Sequence, residues 1–207
     1  MDPAIALVQA YLRVNGYFTI TEYPLFEILE GGTNVRAITD LDILAFRFPR
    51  VGRAPLGSPA GGGTLHGVFR PDPDLAGDPD KADMILAEVK GGPARFNEAI
   101  LDPRVLGAGL ARFGCCAPEN AEPLARILLR RGSAKTEAGH IIRTIAFGSG
   151  TDDAAKEQAY RVISLGHVIA FLENYLREEW AVLRQVQVLE PGLAMLQTVM
   201  KARESEQ

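Results

Sequence analysis

Cysteine is nearly absent from this chain, and its only two residues, Cys115 and Cys116, are adjacent. That spacing gives no disulfide framework and too few thiols for a zinc site of standard spacing. The pair reads as partly buried packing at a helix end. Histidine is also scarce: His66, His140 and His167 have no partners at metal-ligand spacing and read as packing or surface residues. No apolar run approaches the roughly 18 to 20 residues of a membrane span, and "MDPAIALVQAYLRVNGY" lacks a basic leader and a small-residue cleavage site. The expectation is a cytoplasmic protein with no membrane partner. A net charge of -4 argues against non-specific coating of nucleic acid, which usually takes a basic domain, but leaves a nuclease open. There is no internal repeat and no low-complexity tract.

What is present suits a globular α/β protein. At 207 residues and 47% hydrophobic, the chain can bury one sizeable core. Charge is uneven: Arg36, Arg47, Arg50, Arg53 and Arg70 surround a Gly/Pro-rich loop, and Arg126, Arg130, Arg131, Lys135 and Arg143 form a second basic cluster. Asp72, Asp74, Asp78, Asp80 and Asp83 form an acidic run. Solvated surface is the ordinary reading of each.

Apolar spacing from Asp2 to Asn15 predicts a helix capped by Asp2, with Pro3 in its first turn and Gly16 as its stop. "YFTITEYPLFEIL" reads as a strand in which Pro24 favours a bend or an edge. "GGTN" then turns the chain into a second strand from about Val35 to Phe48, giving an antiparallel hairpin. Residues 50–81 read as an inserted loop containing a short candidate strand, "TLHGVF". A third strand covers Met84 to Val89, and "GG" leads to a helix from near Ala94. Helical patches follow at 103–113 and 119–131, then strands at "HIIRTIAFG", with a turn in "GSGTDD", and at "AYRVISL". A long helical segment runs from about Gly166 to Lys201, broken at Pro191-Gly192. Residues 1–165 are therefore expected to form one α/β domain, a mixed sheet with helices on both faces. Residues 166–207 form a helical extension, packed on that domain or serving as a homodimer interface through Val168, Leu172, Tyr175, Leu176, Leu183 and Val186. Trp180 packs this segment on the body or on a second subunit.

Charged residues interrupt two of the apolar strands. Asp40 and Asp42 in "ITDLDILAFRFP" share a face by strand alternation, as do Glu88 and Lys90 in "ADMILAEVKGG". Ionised groups in such strands are costly unless paired, hydrated or bound to metal. Neighbouring strands would bring the carboxylates together beside a lysine, a donor set suited to Mg²⁺. Gly91 and Gly92 either let a phosphate backbone approach closely or simply turn the strand into the helix. Arg95 and Asn97 are positioned to touch phosphate or to cap the helix.

"TDLDILAF", a spacer and "ILAEVKGG" together resemble the PD-(D/E)xK signature of the restriction-endonuclease-like nucleases, a superfamily that includes Holliday-junction resolvases. The resemblance implies an αβββαβ core, the order read here from Asp2 to Gly148, with the Asp on the second strand and Glu-x-Lys on the third. It implies Mg²⁺, with Mn²⁺ as substitute, held by Asp42 and Glu88. Lys90 would serve the attacking water, and Asp40 occupies the position of an additional acid in some members. Many members carry a glutamate on the first helix; this chain offers Gln9 there, and Glu22 on the first strand is the candidate replacement. The implied activity is metal-dependent hydrolysis of DNA phosphodiester bonds. The alternative is a catalytically inactive member that binds nucleic acid or serves an assembly.

Overall fold

The structure, a computed structural model, describes residues 2–29, 34–51, 69–151 and 159–204. Helix α1 (Pro3–Val14) begins where Asp2 accepts a 2.7 Å hydrogen bond from the Ala4 amide, and it ends before Gly16, whose φ of 85° is left-handed. Almost every residue of α1 is buried, with Val8, Tyr11 and Leu12 fully enclosed.

The sheet is built from β1 (Phe18–Ile28), β2 (Val35–Arg47), β3 (Asp83–Ala94), β4 (Ser133–Lys135), β5 (Ile141–Thr151) and β6 (Arg161–Ser164). Its order is β1-β2-β3-β5-β4, with β6 also paired to β5. β1, β2 and β3 run antiparallel in succession, whereas β3 and β5 are parallel, so the sheet is mixed. A parallel pair needs a crossover, supplied here by α2 (Pro103–Phe113) and α3 (Pro118–Arg131). These helices cover one face, while α1 and α4 (Leu165–Glu178) cover the other. Burial on both faces explains the nearly continuous apolar run of β3: Ile85, Ala87 and Val89 enter the α1-side core, and Met84 and Leu86 the α2-side core.

The chain then passes through the short α5 (Trp180–Leu183) to α6 (Pro191–Glu204), which packs on α1. At Gly192 a Cβ would stand 2.4 Å from the Ala6 carbonyl oxygen, so only glycine allows that approach. Val168, Leu172, Tyr175, Leu176 and Leu183 all enter the α1-side core, whereas Val186 is exposed. The Trp180 indole donates to Glu204 of α6. No helix among the described residues is long and apolar enough to cross a membrane.

Several local expectations need correction. β3 does not give way to a helix at the Gly pair; it continues to Ala94, and α2 starts only at Pro103, where Asp102 supplies the cap. The carboxylate of Asp102 accepts from the Arg104 amide, and Pro103 keeps its predecessor out of helical geometry. β5 runs to Thr151 instead of turning at Gly148, because its pairing with β3 extends that far. β4 has only three residues, too short to show a pattern. The C-terminal segment already breaks between α4 and α5, well before Pro191. The first three residues of the "GGTN" turn, residues 64–68 of the "TLHGVF" strand, His66 among them, and Arg53 lie outside the described residues.

The charged clusters are not simply solvated. Asp83 is 1% exposed: Arg143 grips both carboxylate oxygens, at 3.0 and 2.5 Å, and the Tyr17 hydroxyl donates to one of them. Arg47 is buried beside them, 4.0 Å from Asp83 and over the Tyr17 ring. Arg36 pairs with Glu27, and Arg70 with Glu178.

Candidate metal centre

β2 and β3 pair from Arg47↔Asp83 to Ile43↔Ala87, and there the ladder ends. Along β2 the alternation slips at the same place: Leu41 and Leu44 enter one core, and Ile43 enters the other. The intervening residue is Asp42. Its carboxylate replaces the missing ladder bond, with Oδ2 accepting from the Val89 amide at 2.7 Å. On β3, Ala87 and Val89 belong to the α1-side core, so Glu88 and Lys90 emerge on the opposite side by alternation. Lys90 Nζ lies 3.0 Å from Glu88 Oε2 and 3.4 Å from Asp42 Oδ2. Three residues from two strands thus meet where those strands separate.

The electrostatics of this fork are uneven. Asp42 and Glu88 are buried, while Lys90 is half-buried. Burial, reinforced by the nearby Asp42 charge and only partly opposed by Lys90, pushes the Glu88 carboxyl up to about 7. Burial alone would lower the Lys90 ammonium, but the attraction and hydrogen bonds of Glu88 and Asp42 hold it above its ordinary value. Glu88 Oε1 is buried and has no hydrogen-bond partner among the described residues. An unanswered carboxylate oxygen beside a second carboxylate is a place for an additional cation.

The remaining candidates stand apart from this fork. Asp40 is exposed and pairs in register with Pro24; no hydrogen bond or ion pair joins it to Asp42, Glu88 or Lys90. Its carboxylate therefore does not share Asp42's environment, because the slip in alternation at Asp42 separates them. Glu22 is exposed on β1 between the pairs Thr21↔Ile43 and Tyr23↔Leu41, which puts its backbone beside Asp42. It has a left-handed φ of 53°, an irregularity costly for a residue other than glycine. Gln9 is buried and donates to the Thr19 hydroxyl at 3.2 Å.

A second polar cluster is not foreshadowed by any motif. His167 Nε2 lies 2.6 Å from Asp72 Oδ2, and Nδ1 lies 3.5 Å from Asp74 Oδ2. Tyr11 donates to Asp72 Oδ2 and the Asp74 amide to Oδ1, at 2.7 and 2.9 Å. Although burial opposes the Asp72 charge, these hydrogen bonds and His167 keep its carboxyl below the ordinary range. The three residues could converge on a metal ion. Both oxygens of Asp72 are nevertheless engaged, and the cluster ties the stretch after Arg70 to α1 and α4. His167 is far from both acids in sequence, and only the alternating "PDPD" stretch hints at special local geometry.

Comparisons with family models, with characterised proteins and with solved structures found no match to this chain.

Proposed function

We propose that this chain is a divalent-metal-dependent nuclease of the restriction-endonuclease-like type, hydrolysing phosphodiester bonds in DNA. The observation that carries the reading is the meeting of Asp42, Glu88 and Lys90 at the fork where β2 and β3 part, with Glu88 Oε1 buried and unpartnered among the described residues. Carboxylate oxygens are hard donors, suited to Mg²⁺ or Mn²⁺, and the orphaned oxygen fits such an ion. Asp42 and Glu88 would hold it; Asp40, turned into solvent, and Glu22, exposed on β1, are not joined to them.

When bound there, the ion would supply Lewis-acid polarisation of a phosphoryl oxygen and a water of lowered pKa. The chain's own contribution is positional and electrostatic. The Val89 amide fixes the Asp42 carboxylate. Lys90 presents an ammonium next to both acids, where it can offset charge developing on a phosphate. The elevated Glu88 carboxyl means that proton and metal compete for the same oxygens.

The test is cleavage of mixed DNA substrates with Mg²⁺ or Mn²⁺ by the native chain, Glu88→Gln and Lys90→Ala, each verified as folded. Metal-dependent cutting by the native chain, abolished in both variants, is expected. Undiminished cutting by Lys90→Ala, or none by the folded native chain, would sink the proposal.

A second reading, a non-catalytic nucleic-acid-binding member of the same fold type, draws on one observation. α1 contributes no acid, and Gln9 is already engaged with Thr19. Calorimetry separates the two, since this reading expects no heat of Mg²⁺ binding at millimolar concentration.

A further inference from the structure

Gly91 and Gly92 have no explanation within the described residues. Glycine in a strand sacrifices backbone entropy and side-chain packing, so it usually answers a need for positive φ or close approach. Neither residue has positive φ. A Cβ on either would meet nothing within 4 Å. They do not turn the strand into a helix, because β3 continues through them to Ala94. The ladder slips here, Lys90 pairing with Gly148 and Pro93 with Gly150, so the two glycines bulge opposite Ser149. A bulge without left-handed φ does not require glycine. The contrast lies across the ladder: at Gly148 a Cβ would stand 2.4 Å from the Ala94 amide nitrogen, so that glycine is required internally.

Lys90, the residue before the glycines on β3, lines a cleft of about 370 Å³ together with Arg95, Phe96, Asn97 and Glu98. Lys90 is committed to the two carboxylates. Asn97 is committed as well, its Nδ2 donating to Thr39 at 2.9 Å and its Oδ1 accepting from the Ala99 amide at 3.2 Å. Arg95 is exposed, and no ion pair or hydrogen bond ties it to another described residue. Glu98 is the one acid among the described lining residues, which together are not strongly cationic. Among the described lining residues the uncommitted cation is the guanidinium of Arg95, which follows the two glycines by three residues in the chain.

The geometry points to a subsite for the phosphodiester backbone of the substrate, in which the strand lies flat over Gly91 and Gly92 and Arg95 binds a phosphate flanking the one attacked. This inference rests on the nuclease reading and extends it by naming what lies beside the metal centre. A polyanionic backbone suits the observations because it needs room against the protein main chain and a forked cation alongside, and Arg provides bidentate geometry for phosphate. Phosphate contacts of this kind position the substrate without reading its sequence.

The test uses the full chain carrying Glu88→Gln, so that a labelled DNA duplex is bound and not cut, with Ca²⁺ present. Arg95→Ala and the double change Gly91→Val with Gly92→Val are added separately to that background. Binding is followed by fluorescence anisotropy over a salt series, and folding by thermal melting.

The valine variant is expected to melt at or above the parent's temperature yet bind roughly tenfold more weakly. Arg95→Ala is expected to weaken binding similarly for unrelated sequences and to reduce the salt slope by about 1. Unchanged affinity and slope in both variants would overturn this subsite while leaving the nuclease intact, as would a valine variant that fails to fold. No binding by the folded Glu88→Gln parent would overturn the subsite and the nuclease reading together.

Discussion

Glu88 makes a pH-dependent prediction that does not require a substrate. Its carboxyl is raised from 4.5 to about 7 in the folded chain. Between those values the folded protein retains a proton that the unfolded chain has lost, so stability falls as pH rises through this window. The side chain is 1% exposed, so solvent screening does little to weaken the effect. Each pH unit between the two values corresponds to about 1.36 kcal/mol, and integration from pH 5 to pH 8 gives a loss of roughly 2–3 kcal/mol attributable to Glu88. Glu88→Gln keeps the shape and removes the titration. Urea denaturation of both proteins at pH 5, 6, 7 and 8 isolates the effect, because the other titrating groups largely cancel in the difference. The native chain should lose roughly 2–3 kcal/mol relative to the variant over that range, and millimolar Mg²⁺ should recover part of the loss at pH 8. A difference that stays flat with pH would contradict this account, since Glu88 would then not be desolvated next to a second charge.

Two further perturbations test what holds the sheet. Asp83→Asn leaves Arg143 and Arg47 buried without their shared counter-charge and should cost about 3–5 kcal/mol in urea denaturation at pH 7; a loss under about 1 kcal/mol would mean that the cluster is hydrated. Gly107→Val puts carbon where even a Cβ lies 3.1 Å from the Glu122 backbone, so the α2–α3 contact should open at a cost of about 1–3 kcal/mol, measured by the same assay.

Much of the local structure was legible because its causes are local. Asp2, Pro3 and Gly16 bracket α1 through capping chemistry that acts over a few residues. The apolar runs of β2, β3 and β5 are recognisable because a strand buried on both faces has few polar positions, which made Asp40, Asp42, Glu88 and Lys90 conspicuous. The Gly pair misled because its composition also suits a strand-to-helix turn, and the pairing of Pro93 with Gly150 that carries β3 onward is a long-range contact. Asp83 and Arg143, 60 residues apart, looked like members of separate solvated clusters until the parallel β3–β5 pair brought them together.

Capping and alternation depend on neighbours along the chain, and they were enough to define most elements, their order and four charged residues set in apolar strands. That the β2–β3 ladder stops at Ile43↔Ala87, so that Asp42 binds the Val89 amide while Asp40 remains in solvent, is a property of the folded arrangement alone. The same holds for the enclosure that keeps a proton on Glu88 near neutrality, and for the meeting of His167 with Asp72 across 95 residues. Register, burial and convergence depend on which distant segments share a boundary, and the free energy of a charge depends on that enclosure more than on its neighbours in sequence.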